Sequence, residues 1–253
     1  MHRTATLLAG VLALGAPAAH AQTADTGYGP NPKLPPPDEG LLPTVNIAPA
    51  TGWAEGQQPR AAEGFTVAAF ADGFDHPRWL HVLPNGDVLV AETNSPPKET
   101  TGLKNFAMKQ VQKVAGAGTE SANRITLLRD ADQDGRPETR SVFLQNLNSP
   151  FGMALVGGGF YVANADAVLR FPYEEGQTAI TAPGVKLADL PGGPINHHWT
   201  KSLVASPDGS KLYVGVGSNS NVAENGMEAE ERRAAILKID RATGRSRRWW
   251  SAS

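Results

Sequence analysis

The polar and aromatic run Asn196-His197-His198-Trp199-Thr200-Lys201 is the part of the sequence best suited to proton transfer. It follows the glycine- and proline-rich residues 190–194 and precedes an apolar run that starts near Ser202, so it lies at the entrance of a predicted strand. A neutral imidazole can take a proton from a hydroxyl group near neutral pH. Two other interpretations stay open: histidines that hydrogen-bond neighbouring elements, or part of a metal site that has no third ligand at a recognised spacing.

A second candidate for chemistry is the acidic run Asp130-Ala131-Asp132-Gln133-Asp134-Gly135. Carboxylates at alternating positions, followed by a glycine where the backbone must turn, resemble the first half of a calcium loop. The predicted ligands are Asp130, Asp132 and Asp134. The twelfth position of such a loop is Ser141 and not a bidentate acid, which excludes an EF-hand. A polar turn between two strands is the alternative.

A third segment, residues 217–226, is rich in glycine, serine and asparagine. Its short amides, with Asn219 among them, could bond a sugar or a quinone carboxylate, although a plain loop explains the same composition. The sequence has no G-x-S-x-G, no G-x-G-x-x-G after a strand and no H-E-x-x-H, so serine hydrolase, nicotinamide and zincin functions lack support.

The elements that must position these groups are predicted strands. Pairs of apolar runs, joined by turns that contain glycine, predict hairpins at 79–91, 151–164 and 202–216. Further strands are predicted at 65–70, 124–128, 140–144, 168–171 and 235–239, and a loop or short helix within 93–122. Repeated four-stranded units of this kind predict an all-β chain, a β-propeller with about three blades. A β-sandwich is the alternative.

The ends and the composition set further expectations. Residues 1–21 have a basic start, an apolar run and Ala19-His20-Ala21, which predicts a signal peptide and a periplasmic or secreted protein. Residues 22–60 form a Pro/Gly-rich segment and 61–253 the partial propeller. With no cysteine and a net charge of −2, the chain shows no disulfide framework and no nucleic-acid footprint, and no later run is long enough to span a membrane. The abrupt end after Trp249-Trp250 suggests a truncated chain.

Four stretches of this sequence resemble the glucose/sorbosone dehydrogenase family, in its sorbosone dehydrogenase branch. They are Pro77-Arg78-Trp79-Leu80-His81-Val82-Leu83-Pro84-Asn85-Gly86-Asp87-Val88-Leu89-Val90-Ala91-Glu92, Ser149-Pro150-Phe151-Gly152-Met153-Ala154-Leu155, Asn196-His197-His198-Trp199-Thr200-Lys201-Ser202 and Ser206-Pro207-Asp208-Gly209-Ser210-Lys211-Leu212-Tyr213-Val214. The resemblance covers about Gly64 to Thr243. It implies a six-bladed propeller with pyrroloquinoline quinone (PQQ) and Ca²⁺, and a sugar, sugar aldehyde or polyol as substrate.

The resemblance also implies roles for residues. His198 is the expected base, because Leu203 stands at the fifth position after it and Pro207-Asp208-Gly209 follows. His197 stands where the glucose-oxidising branch has an acidic residue that orients the base. Contacts with substrate or cofactor are expected from His197, Asn196, Trp199, Lys201 and Asn219. The family's other cofactor-binding residues come later than this sequence extends. The resemblance leaves the electron acceptor open, and the alternative function is a non-catalytic exported propeller of the NHL or gluconolactonase-like kind.

Overall fold

A computed structural model describes residues 31–32, 47–54, 56–97 and 110–251 of the chain. The predicted signal peptide, residues 1–21, lies outside the described residues, as does most of 22–46. The chain divides into two units, 1–46 and 47–253, and everything that follows concerns the second. Within the described residues, no helix has the length and apolar character that crossing a membrane requires.

The described residues of the second unit form twelve β-strands in three four-stranded sheets. The first sheet holds β1 (Pro77–Val82), β2 (Val88–Glu92), β3 (Arg124–Arg129) and β4 (Thr139–Leu144). The second holds β5 (Gly152–Val156), β6 (Gly159–Ala163), β7 (Ala167–Pro172) and β8 (Val185–Asp189). The third holds β9 (Leu203–Ala205), β10 (Lys211–Val216), β11 (Ala235–Asp240) and β12 (Ser246–Ser251). A 3₁₀ turn (Met227–Glu230) and helical residues at 110–114 complete the described structure.

Each sheet is one propeller blade. Its strands pair antiparallel in chain order, so neighbours in sequence are neighbours in space. The first strands of the three blades lie side by side, because β1 contacts β5 and β5 contacts β9. At Gly152 the blades approach so closely that a Cβ would lie 2.6 Å from the Lys201 carbonyl oxygen, and Gly152 N donates to that oxygen at 3.0 Å. The structure therefore confirms an all-β chain with three propeller blades.

Two apolar clusters fill the spaces between blades. The cluster between blades 1 and 2 includes Leu89, Ile125, Phe143, Phe160 and Val162. The cluster between blades 2 and 3 includes Tyr161, Val168, Leu212, Val214 and Leu237. Strand β6 is buried along its whole length, because its alternate side chains enter the two clusters.

The antiparallel order divides the loops between two faces. What we call the connection face carries residues 145–151 and 190–202, which link the blades, together with the loops that follow β2, β6 and β10. What we call the hairpin face carries the turns that follow the first and third strand of each blade. The predicted run Asn196–Lys201 thus lies on the connection face, and the acidic run at Asp130 lies on the hairpin face.

The strand predictions failed in three places. Residues 65–70 are not a strand, because this segment pairs with no described strand and Phe65 is 75% exposed. The β-branched and aromatic composition that predicted a strand is not sufficient without a neighbouring strand to pair with. Strands β8 and β12 were not predicted. Both are outermost strands of a blade with a half-exposed surface, where the alternation of apolar and polar residues is weak.

Candidate functional site

His198 lies on the connection face, in the segment that enters blade 3, and its side chain is exposed. Its Nδ1 is 2.8 Å from Ser218 Oγ and 3.2 Å from the Ser218 carbonyl oxygen. Ser218 directly follows the glycine at the end of β10, so the imidazole is held by the loop after the second strand of the same blade. Its Nε2 has no hydrogen-bond partner among the described residues.

The hydrogen bonds around Ser218 assign the tautomer of the imidazole. Ser218 Oγ donates its proton to the Ser220 carbonyl oxygen at 2.8 Å, so it accepts a proton from His198 Nδ1. The Ser218 carbonyl oxygen can also only accept. Both contacts therefore place the proton on Nδ1, which leaves a lone pair on the outward Nε2. This is the form that a general base needs.

Gly217 permits this close approach of segment and loop. A Cβ at position 217 would overlap the Cβ of His198 and lie 2.8 Å from the His198 carbonyl oxygen. A glycine is needed here for steric reasons, because any side chain would push the segment that carries His198 away from β10.

Asn219 joins the loop to the segment from the other side of Ser218. Its side-chain amide donates to the Ile195 carbonyl oxygen at 2.7 Å, and its own carbonyl oxygen accepts from His197 N at 3.0 Å. Its backbone N–H donates to Glu230 Oε2 at 2.7 Å, and its side-chain oxygen accepts from Asn225. All the polar groups of Asn219 are thus occupied within the protein.

Two buried cations hold the same segment. Arg233 is 7% exposed and donates to Asn196 Oδ1 at 2.8 Å and to the Gly192 carbonyl oxygen. Lys201 is fully buried and donates to the Trp199 carbonyl oxygen at 3.0 Å. Burial lowers the pKa of the Lys201 ammonium to about 8, and the nearby charge of Arg233 acts in the same direction. Sequence analysis included Ser218 in the segment 217–226 but did not predict its bond to His198, and it did not predict the contacts of Arg233, because both contacts join residues 20 or more positions apart.

The structure separates the predicted site residues into two groups. His197 and His198 are exposed, whereas Asn196, Trp199, Lys201 and Asn219 are buried. The imidazole of His198 is held by Ser218 and not by His197, whose side chain has no hydrogen-bond partner among the described residues. Ligand binding by the buried residues stays a prediction, and their bonds favour a role in holding the segment.

An aromatic cluster joins the entrances of the three blades. Trp79 of β1 contacts Phe151 at a centroid distance of 4.9 Å, Phe151 contacts Trp199 at 6.3 Å, and the Arg78 guanidinium lies 5.7 Å from the centre of the Trp199 ring. Trp79 also lines an open cavity of about 560 Å³ whose other lining residues belong to blade 3 or directly precede it. The other lining residues are Ser202, Leu203, Val204, Tyr213, Gly215, Ile236 and Trp249.

The acidic run forms the turn between β3 and β4. Ligand oxygens of Asp130, Asp132, Asp134 and Glu138 lie within 4.8 Å of one another. Asp130 accepts hydrogen bonds from Asp134 N at 3.1 Å and Gly135 N at 2.9 Å, which close the turn. The predicted metal site stays a prediction, and its place on the hairpin face separates it from His198.

The described residues fit PQQ only in part. A planar tricarboxylate needs several free donors and cations around it. On the connection face the exposed candidates near His198 are His197 and Arg78, because Asn196, Asn219 and Lys201 are buried. The described residues of these blades provide an exposed imidazole but not a complete set of donors for such a group.

Solved structures with this fold include a PQQ domain and a carbohydrate-active enzyme. The holo PQQ domain of pyranose dehydrogenase from Coprinopsis cinerea superposes with a TM-score of 0.53 at 19% identity, over 72% of this chain and 38% of that one. A Trichoderma reesei carbohydrate-active enzyme of family AA12 matches in its iodide structure (TM-score 0.54, 18% identity, 73% of this chain and 41% of that one) and in its calcium structure (TM-score 0.52, 18% identity, 73% and 40%). At this identity the likeness shows the fold. The chain spans about two fifths of the length of these structures.

Comparison with known sequences gives a family without an assigned activity. No curated protein matches the chain. Residues 57–247 match the family model described as a domain of unknown function, DUF7133, and this match includes all three blades up to the first residues of β12. The chain therefore belongs to the DUF7133 family.

Proposed function

We propose that the chain is part of a quinoprotein oxidoreductase that oxidises a sugar, a sugar aldehyde or a polyol, with His198 as the general base. The observation that carries the proposal is the imidazole held at Nδ1 by Ser218, with Nε2 turned away from its partners on the connection face. The predicted signal peptide supports a periplasmic or secreted location for this activity.

In this proposal the residues of the chain act by removing the proton of the substrate hydroxyl group. Nε2 of His198 takes the hydroxyl proton, and the positive charge that forms on the ring is stabilised by the Nδ1–H bond to Ser218. Arg78, which is exposed beside Trp199, offers a cation for an anionic group of a ligand. The oxidation also needs a hydride acceptor, which PQQ supplies when it is bound.

Support for PQQ as the acceptor comes from the resemblance in sequence and from the fold shared with PQQ domains. Since those domains are more than twice as long as the matched part of this chain, further donors for the cofactor would come from outside these three blades. Ca²⁺ is proposed with PQQ on the same grounds, and a calcium structure is known for the AA12 enzyme.

The competing proposal is an exported propeller that binds a ligand without catalysis. The observation in its favour is that Asn196, Lys201 and Asn219 are buried and bonded within the protein. It predicts ligand binding that does not depend on PQQ.

The test is dye reduction by the purified chain, and by the longest natural polypeptide that contains it, with PQQ, Ca²⁺ and a panel of aldoses, sugar aldehydes and polyols. His198→Gln should lower PQQ-dependent reduction by about 10²–10⁴-fold, as expected for loss of a general base. The matched control is His76→Gln, because His76 also bonds a backbone carbonyl, Thr93 O at 3.0 Å, but lies before blade 1. Equal activity of the two variants, or reduction that does not require PQQ, would contradict the proposal.

A further inference from the structure

We propose that Arg233 is a positioning residue, which fixes the segment that carries His198 against the loop after β10 and so maintains the Nδ1–H form of the imidazole. The catalytic meaning of this role rests on the proposed function, whereas the role itself is a property of the apo chain.

The contacts of Arg233 are directed at the segment and at nothing acidic. Nη1 donates to Asn196 Oδ1 at 2.8 Å and Nη2 donates to the Gly192 carbonyl oxygen. Among the described residues no carboxylate lies within ion-pair distance of this guanidinium. A buried cation without a directly bonded carboxylate is costly, and the charge of Glu230 nearby offsets only part of the desolvation. The planar guanidinium donates through two nitrogens to acceptors on residues 192 and 196, which explains why this position holds an arginine.

The same part of the loop contacts both flanks of His198. Asn196 is two residues before the histidine and is held by Arg233. Ser218, which holds the imidazole itself, is followed by Asn219, whose backbone N–H is held by Glu230. Arg233 N donates to the Glu230 carbonyl oxygen at 3.0 Å, which joins the two holding groups.

This arrangement forms a closed ring of contacts. It passes from Arg233 through Asn196 and His198 to Ser218, and returns through Asn219 and Glu230. Removing the guanidinium breaks this ring of contacts at Asn196. Among the described side chains, only Asn219 then still bonds the segment 192–196, through the Ile195 carbonyl oxygen. The imidazole can then leave Ser218, and the tautomer preference falls.

The test is long-range ¹H–¹⁵N NMR of the histidine rings in the purified full chain, with the His198 signals assigned through His198→Gln. In the wild type the Nδ1–H form should dominate. In Arg233→Met the ratio of the Nδ1–H to the Nε2–H form should fall about fivefold, the size expected for loss of one hydrogen bond. Arg233→Lys, which keeps the charge but not the fork, should also lower it.

The matched control is Arg232→Met, because Arg232 bonds Ser246 Oγ and the Asp189 carbonyl oxygen and not the segment. It should leave the tautomer ratio unchanged. Asn196→Ala removes the acceptor while Arg233 stays, and the double variant should be no worse than either single one. Asn196→Ala breaks the same contact, so the test stays decisive if Arg233→Met folds poorly.

Two outcomes decide the proposal. A lower melting temperature with an unchanged tautomer ratio in Arg233→Met and Asn196→Ala would overturn it, because Arg233 would then be structural only. A tautomer ratio that falls as expected, in a protein without PQQ-dependent activity, would uphold the positioning role while the proposed function fails.

Discussion

Substitution of Gly217 by alanine tests the geometry of the site most directly. The residue directly follows β10 and faces the backbone of His198, with no room for a side chain. The new Cβ would overlap the Cβ of His198 and lie 2.8 Å from its carbonyl oxygen. No positive φ is involved at this position, so the whole effect is steric.

The size of the effect follows from the overlap. Non-bonded heavy atoms of this kind sit about 3.5–4.0 Å apart at their optimum, so the backbone at His198 must move by on the order of 1 Å. Such overpacking costs about 1–3 kcal/mol of the free energy of unfolding. A shift of that size breaks the 2.8 Å bond between His198 Nδ1 and Ser218 Oγ. Misplacing a reacting group by about 1 Å can lower an enzymatic rate by about 10²-fold.

The assay combines chemical denaturation with NMR of the histidine tautomer. The matched control is Gly215→Ala, two residues earlier, where the added Cβ meets the side-chain oxygen of Ser202, which can rotate away. Gly217→Ala should lose more stability than Gly215→Ala and should alone disturb the His198 ring. Equal stability of the two variants, with an unchanged ring, would refute the steric reasoning.

Three further predictions concern buried and clustered charges. The pKa of Lys201 falls from 10.5 to about 8 on folding, so between these pH values the unfolded chain binds one more proton than the folded chain. The free energy of unfolding of the wild type should therefore rise by about 3 kcal/mol from pH 8 to pH 10.5. Lys201→Met, denatured at about pH 7 and at about pH 10.5, should lack this rise, and a pH profile identical to that of the wild type would contradict the assignment. Glu92→Gln should cost about 2 kcal/mol by urea denaturation at pH 7, because it removes the buried carboxylate that Arg124 bonds at 2.8 and 2.9 Å, while Arg124 keeps its ion pair with Asp75; a stability equal to the wild type would show that the pair contributes nothing. If the acidic turn binds Ca²⁺, calcium should raise the melting temperature of the wild type but not of Asp132→Asn, and no shift in either would remove the metal site.

The hairpins were predictable because their signals are local. The turn at Asn85-Gly86 fixes the approach of β1 and β2, and Gly86 takes the positive φ of +92° that such turns favour. The strand predicted at residues 65–70 had the right composition but no partner, and composition does not reveal whether an edge is available for pairing. Strands β8 and β12 were missed for the opposite reason, since they pair well but show weak alternation.

The sequence by itself determined the all-β class, the blade repeat and the place of His198 at the entrance of a strand, because each depends on residues close together in the chain. The tertiary structure decided which groups surround that histidine. Ser218 contacts the histidine and Arg233 contacts Asn196 only because β10 returns the chain to the connection face, and the buried Lys201 lies where Gly152 of blade 2 bonds its carbonyl oxygen. Contacts between distant residues depend on how sheets stack, and no local pattern records that.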